Sequence, residues 1–212
     1  WWVEEFFDQD VGLVVKTNIA NNSLMDYNAT KKTIKNILSS TPDRKCKVYL
    51  IHGDLTPAQI TWLYCHPKIK SMINIAHGEG FGLPLYEAAR EGLPIITIGW
   101  SGQVDFLRHS DKNYFQPVDY ELRPIQQEAV WPGVLESNTS WAYADQGSYK
   151  MALRKSYKNW KNNAETAKEL KDIVETKFSD EVLYKGFVDA VLGFDSSIIT
   201  PNPEGECVLE FE

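Results

Sequence analysis

The residues best suited to chemistry lie in one short run, Ala76-His-Gly-Glu-Gly-Phe-Gly-Leu-Pro-Leu-Tyr-Glu-Ala-Ala-Arg90. Gly78, Gly80 and Gly82 alternate with other residues, so the backbone can turn sharply and a ligand can come close to it. Pro84 suits the first turn of a helix, where a missing N–H costs nothing. The remaining amides of such a turn face outward and carry about half a positive charge, a favourable seat for phosphate oxygens. Two carboxylates flank it. Glu79 is in the loop, and Glu87 follows eight positions later on the helix. A carboxylate near a helix start is favoured by the dipole and can accept two hydroxyl hydrogen bonds at once. Adjacent hydroxyls of a sugar ring present that pair. The ligand this pattern fits has a diphosphate in the middle and a sugar on either side, which is a nucleotide sugar.

These residues need a strand before them and a helix after them. Met72 to Ala76 reads as a strand, and the helix runs from Pro84 to about Arg90 with Gly92 closing it. Further strands are expected at 11–17, 47–52, 94–98 and 114–118, with helices at 30–38, 56–65 and 101–107. Thr56-Pro57 is a capped helix start. Strands alternating with helices at this spacing predict an α/β fold: a Rossmann-like parallel sheet with helices on both faces. Residues 119–146 break the pattern and read as an irregular loop. One long helix is expected from Met151 to Lys177 and another from Ser179, and the chain after Phe194 reads as an extended tail. The domain division is thus 1–194 for the folded body and 195–212 for the tail.

Composition narrows the function classes. The chain has 212 residues, 43% apolar and 24% charged, enough for one domain with a real core. No stretch approaches 18 consecutive apolar residues, so no transmembrane segment is expected. A net charge of −7 speaks against nucleic acid as a partner. Cys46, Cys65 and Cys207 are odd in number and far apart, which argues against a disulfide framework or a zinc site and for a reducing, cytoplasmic setting. The opening Trp-Trp-Val-Glu-Glu has neither a basic leader nor an initiator Met, as expected of a fragment. Trp1, Trp2, Phe6 and Phe7 are expected to pack on a missing partner domain. The glycine loop is not G-x-G-x-x-G with an acid about 20 residues on, and no Lys follows Gly82, so nicotinamide and P-loop chemistry are disfavoured. Ser101 and Asp105 lack the G-x-S-x-G elbow of a serine hydrolase. His52, His66 and His109 lack metal-ligand spacing.

The segment E-x7-E, set in Gly78-Glu-Gly-Phe-Gly-Leu-Pro-Leu-Tyr-Glu-Ala-Ala and followed by Gly92-Leu-Pro-Ile-Ile, resembles the donor-binding half of the family 4 retaining glycosyltransferases, which have the GT-B fold. Leu13-Val-Val-Lys-Thr17, His52-Gly53, Trp100-Ser-Gly-Gln-Val-Asp-Phe-Leu107 and Trp141-Ala-Tyr-Ala-Asp145 extend the resemblance over nearly the whole chain.

The resemblance implies roles for particular residues. Glu79 would contact the transferred sugar and Lys16 would neutralise the departing diphosphate, these two being the catalytic pair. Glu87 would bind the ribose hydroxyls. The amides of Gly80, Phe81, Gly82 and Leu83 would meet the diphosphate and sugar, and Gly53 and Asp54 would line the base pocket. His77 is open between touching the donor sugar and a structural hydrogen bond.

No metal or cofactor is expected, because helix dipole and lysine can carry the charge. The partners would be a UDP- or GDP-sugar and an acceptor glycan or other hydroxyl compound. The N-terminal half, absent here, would bring the acceptor site. The alternative is a non-catalytic nucleotide-sugar-binding module acting with a separate acceptor-binding protein. A third reading is a GT-B phosphorylase or epimerase-like enzyme.

Overall fold

A computed structural model describes residues 1–20 and 22–193. Asn21, the expected tail after Phe194 and Cys207 lie outside the described residues. In chain order the elements are α1 (Trp2–Glu5), β1 (Gly12–Thr17), α2 (Leu24–Leu38), β2 (Lys47–His52), α3 (Pro57–Cys65), β3 (Met72–Asn74) and α4 (Leu83–Arg90). Then come β4 (Ile95–Ile98), α5 (Val104–Leu107), β5 (Arg108–His109), β6 (Lys112–Asn113), β7 (Gln116–Val118) and β8 (Tyr120–Pro124). A short 3-10 turn, β9 (Ser140–Ala144), α6 (Gln146–Lys158), α7 (Trp160–Lys177) and α8 (Asp180–Leu192) complete the fold.

The pairing is parallel where alternation with helices predicts it. β1 pairs with β2, and β4 lies between β3 and β7. Side chains alternate across a strand, and β4 distributes them to two layers. Ile96 and Ile98 join Val118, Tyr149, Ala152 and Leu153 in one buried cluster. Ile95 joins Leu85, Ala89, Phe106, Leu170 and Val174 in the other. Helix α6 therefore covers one face, and α4, α5 and α7 cover the opposite one. Leu13 and Val48 pack against the first cluster too, so the β1–β2 pair shares its core with the second parallel sheet. This is an α/β fold, a Rossmann-like parallel arrangement with helices on both faces.

Four expectations are corrected. Trp2 and Phe6 do not wait for a partner domain. One helical turn apart, they share a face with ring centroids 5.0 Å apart and are buried in the first cluster. Glu4 pairs with Lys150 at 2.6 Å and Glu5 with Arg154, which clasp α1 to α6.

Residues 119–146 are not one irregular loop. β8 and β9 form an antiparallel ladder from Tyr120↔Ala144 to Pro124↔Ser140. Pro124 and the turn residues between the strands mask its alternation.

The expected helix from Met151 to Lys177 is two helices. Asn159, at φ −110° and ψ 27°, separates α6 from α7, and α6 already starts at Gln146, capped by Asp145 accepting from the Ser148 amide. Similarly, α2 begins at Leu24 rather than Thr30, with the Ser23 side chain accepting from the Asp26 amide.

Candidate active site

Apart from Glu87, which lies within α4, the residues singled out from the sequence lie at or just beyond the carboxyl end of a parallel strand. Lys16 is near the end of β1, opposite Ile51 of β2. Gly53 and Asp54 follow β2, and residues 77–83 follow β3. Open α/β sheets bind ligands at this edge, where successive loops diverge.

The glycine loop is braced by the loop after β4. The Glu79 amide donates to Ser101 Oγ at 3.1 Å, and that hydroxyl donates back to the Glu79 carbonyl at 2.6 Å. The Gly102 amide also donates to the Glu79 carbonyl, at 3.1 Å. The two backbones are so close that a Cβ on Gly102 would collide with the Gly80 carbonyl oxygen. Ser101 takes φ +80° to make this contact, a strained backbone for a residue with a side chain. Gly82, at φ +86°, ends the loop and caps α4 without a side-chain hydrogen bond. None of the amides of Gly80, Phe81, Gly82 and Leu83 donates to an acceptor among the described residues. Gly80 has no heavy atom within 4 Å of where a Cβ would stand. The mouth of the loop is therefore lined with unpartnered amides and is open at Gly80, Phe81 and Leu83, while Gly82 is buried.

Glu79 is aimed from the strand below it. Asn74, the last residue of β3, donates from Nδ2 to Glu79 Oε1 at 2.7 Å and accepts from the Ala76 amide at 2.8 Å. One Glu79 oxygen is held, and the other has no hydrogen-bond partner among the described residues. The sequence reading missed Asn74, Ser101 and Gly102. The signal for Asn74 was a lone amide ending an apolar strand, and for the other two a Ser-Gly pair straight after the next strand.

Glu87 lies on α4 and is half-buried, with no hydrogen-bond or ion-pair partner among the described residues. It faces α3 closely enough that Tyr64 feels it. The Tyr64 phenol is pushed up to about 12, first by burial and then by the Glu87 carboxylate. Phe81 and Leu83 stay exposed, and the Phe81 ring leans on Tyr86 and Phe106 at 5.2 and 5.1 Å.

Of the two roles left open for His77, the structural hydrogen bond is present. Its Nδ1 donates to the Ala142 carbonyl at 2.8 Å, and its own carbonyl accepts from the Ala142 amide at 3.1 Å. Its ring also borders a cavity of about 450 Å³. Residues 77–80 with Trp100 and Ser101 line one side of that cavity, and Leu135 with residues 139–141 line the rest. His77, Glu79 and Gly80 are thus brought together, whereas Glu87, Gly53, Asp54 and Lys16 do not line this cavity.

Around Gly53 and Asp54 the mouth is filled by the protein's own side chains. Asn22 donates to the Asp54 carboxylate, and its Oδ1 lies 2.9 Å from where a Gly53 Cβ would stand. The segment carrying Asn22 is anchored by Asp26, which accepts from the amides of Ile19 and Ala20 at 3.2 and 3.0 Å and bonds His52 Nε2 at 2.8 Å. Burial pushes the Asp26 carboxyl up, but the bonds from His52, Ala20 and Ile19 outweigh it and hold it below the usual carboxylate range. Lys16 is exposed.

Among the described residues no group of three or more His, Cys, Asp or Glu is placed to hold a metal ion. No described helix is long and apolar enough to cross a membrane.

No protein-family model matches the sequence, and neither does any curated protein. Solved structures do resemble the fold. The catalytic domain of starch synthase IV from Arabidopsis thaliana, bound to ADP and acarbose, is 12% identical with a TM-score of 0.47. The likeness covers 91% of this chain and 41% of that one. A GtfA/B complex is 15% identical with a TM-score of 0.27, over 78% of this chain and 37% of that one. This chain thus spans about two fifths of the length of either. Likenesses at these scores carry no functional argument, which rests on the site itself.

Proposed function

We propose that the chain is the donor-binding half of a retaining GT-B glycosyltransferase of the family 4 type, taking a nucleotide-diphosphate sugar. The observation that carries this reading is the row of unpartnered amides from Gly80 to Leu83 at the start of α4. An open mouth of N–H donors at a helix start favours a diphosphate, and the carboxylates of Glu79 and Glu87 on either side of it suit two sugars. Glu79, held through one oxygen by Asn74, offers the other to a hydroxyl of the transferred sugar. Glu87, without a partner of its own, takes the ribose hydroxyls. Lys16 offsets charge on the leaving diphosphate, and no metal is required.

In transfer, the bond between the anomeric carbon and the diphosphate oxygen breaks with oxocarbenium character. The acceptor hydroxyl oxygen then bonds to that carbon from the same face, its proton passing to the departing diphosphate oxygen. Catalysis rests on stabilising the departing diphosphate and on positioning the acceptor. The acceptor side of the cleft belongs to a second half, in the same polypeptide or in a separate chain.

Calorimetry with UDP, GDP and ADP, with and without magnesium, tests the reading. At least one nucleoside diphosphate is expected to bind without metal, and Glu87→Ala to weaken it about tenfold or more. Unchanged affinity in Glu87→Ala overturns the ribose assignment. Incubation with a radiolabelled donor and mixed acceptors separates an enzyme from a binding module, because a module releases no product.

A further inference from the structure

The cavity beside Glu79 has a wall from a part of the chain far away in sequence. That wall is the end of the β8–β9 hairpin, and its aromatic member is Trp141. The indole is held in a fixed plane. It stacks on His77 at 5.0 Å between centroids and 7° between planes. His77 also packs against Tyr143 at 4.5 Å, and the Arg123 guanidinium covers the Tyr143 ring at 4.5 Å. The hydrogen bonds between His77 and Ala142 tie this ladder to the strand carrying it. Since His77 is two residues from Glu79, the plane of Trp141 is fixed relative to the carboxylate.

The other tryptophan of the cavity differs. Trp100 packs against the first buried cluster and lies against Gly78, where a Cβ would stand 2.9 Å from its ring. Its role is explained by packing. Trp141 belongs to neither buried cluster, so the core does not account for an indole at this position.

A fixed indole and a carboxylate lining one cavity match the two chemistries of a hexose. The C–H face of the sugar is apolar, and its hydroxyls ring the edge. Cavities of this volume are usual for small ligands, with an apolar lining and a few oriented polar groups. We propose that the β8–β9 hairpin is the sugar-discriminating element of this site, with Trp141 the platform on which the transferred sugar stacks. This rests on the donor-site reading above. His77 covers one face of the indole, so the sugar meets the other face while Glu79 holds a hydroxyl. Of the four amides assigned to the diphosphate only Gly80 lines this cavity, so the nucleoside diphosphate is placed mostly outside it, away from Trp141.

The test compares a nucleotide with its sugar conjugate, using the 212-residue chain. Calorimetry is run with UDP and UDP-glucose, GDP and GDP-mannose, and ADP and ADP-glucose. For the pair that binds, Trp141→Ala is expected to weaken the nucleotide sugar about tenfold and leave the bare nucleotide within twofold. Trp141→Phe, which keeps a ring on His77, is expected to lose no more than about threefold. If Trp141→Ala does not fold, Trp141→Leu takes its place with the same expectation, being apolar but without a π face. Equal weakening of nucleotide and nucleotide sugar would mean that Trp141 only props the loop, and it overturns the proposal, as does no weakening of either. Failure of the unaltered chain to bind any of the six overturns the donor-site reading instead, and the platform falls with it.

Discussion

The loop after β3 and the loop after β1 each follow the carboxyl end of a parallel strand, yet they are built in opposite ways. The Glu79 loop is braced from behind by backbone and by the Ser101 hydroxyl, which leaves its amides free at the front. After β1, Asp26 holds the amides of Ile19 and Ala20, and Asn22 lies across Gly53 and Asp54. One loop spends its hydrogen bonds on holding a mouth open, and the other on closing one. Residue types alone do not tell these apart, because both contain small and polar residues after a strand. What separates them is which distant segment reaches each loop.

The strongest way to break this contrast is through the glycines. Gly102→Ala sets a Cβ against the Gly80 carbonyl, backbone against backbone. It is expected to cost about 3 kcal/mol of stability, read as a drop in the urea midpoint. Gly80→Ala meets empty space and is expected to change stability by no more than about 0.5 kcal/mol. It should nevertheless weaken nucleoside diphosphate binding, because its methyl group enters the open mouth. Equal stability effects in the two variants would mean that the loops are not interlocked.

The closed loop is sensitive to acid. Asp26 is held below the usual carboxylate range in the folded chain. Its contribution is therefore complete above the unfolded carboxylate range of about 4 and is lost as pH falls through the lower folded value. Urea midpoints measured from pH 6 to pH 2 should fall more steeply in the unaltered chain than in Asp26→Asn, which has no proton to gain.

Two smaller effects sharpen the comparison. Asn74→Ala frees Glu79 to move and is expected to cost about 1 kcal/mol of nucleotide-sugar affinity, close to fivefold. Binding of the bare nucleotide should hardly change. Asn22→Ala uncovers Gly53 and Asp54 at a surface position and should alter stability by no more than about 0.5 kcal/mol. A change in preference among UDP, GDP and ADP in this variant supports the base-pocket role proposed for Gly53 and Asp54. An unchanged preference argues against it.

Much of the architecture was legible because it is local. Thr56 and Gln59 form a capping box at the start of the Pro57 helix. Lys47–His52 is a strand over the span its apolar run predicts. Ile95–Ile98 is wholly buried, as expected of a strand covered on both faces. The misses are non-local. Trp2 and Phe6 read as an exposed patch because their partner, α6, lies about 145 residues away. The β8–β9 pairing joins strands separated by 15 residues rich in turn formers, and only the ladder reveals the alternation. Within the site, the E-x7-E spacing pointed to Glu79 and Glu87. The three residues that fix the Glu79 loop, Asn74, Ser101 and Gly102, act through contacts that no spacing rule contains. The closing of Gly53 and Asp54 by Asn22 was invisible for the same reason.

The central claim is that the amides after β3 hold a diphosphate. It is tested most directly by a nitrogen-15 amide titration of the chain with UDP, GDP and ADP in magnesium-free buffer. The account predicts that at least one of the three moves the Gly80, Phe81, Gly82 and Leu83 amide signals together, with one saturating affinity. Saturable shifts confined to other parts of the chain, with those four signals unmoved, would contradict it.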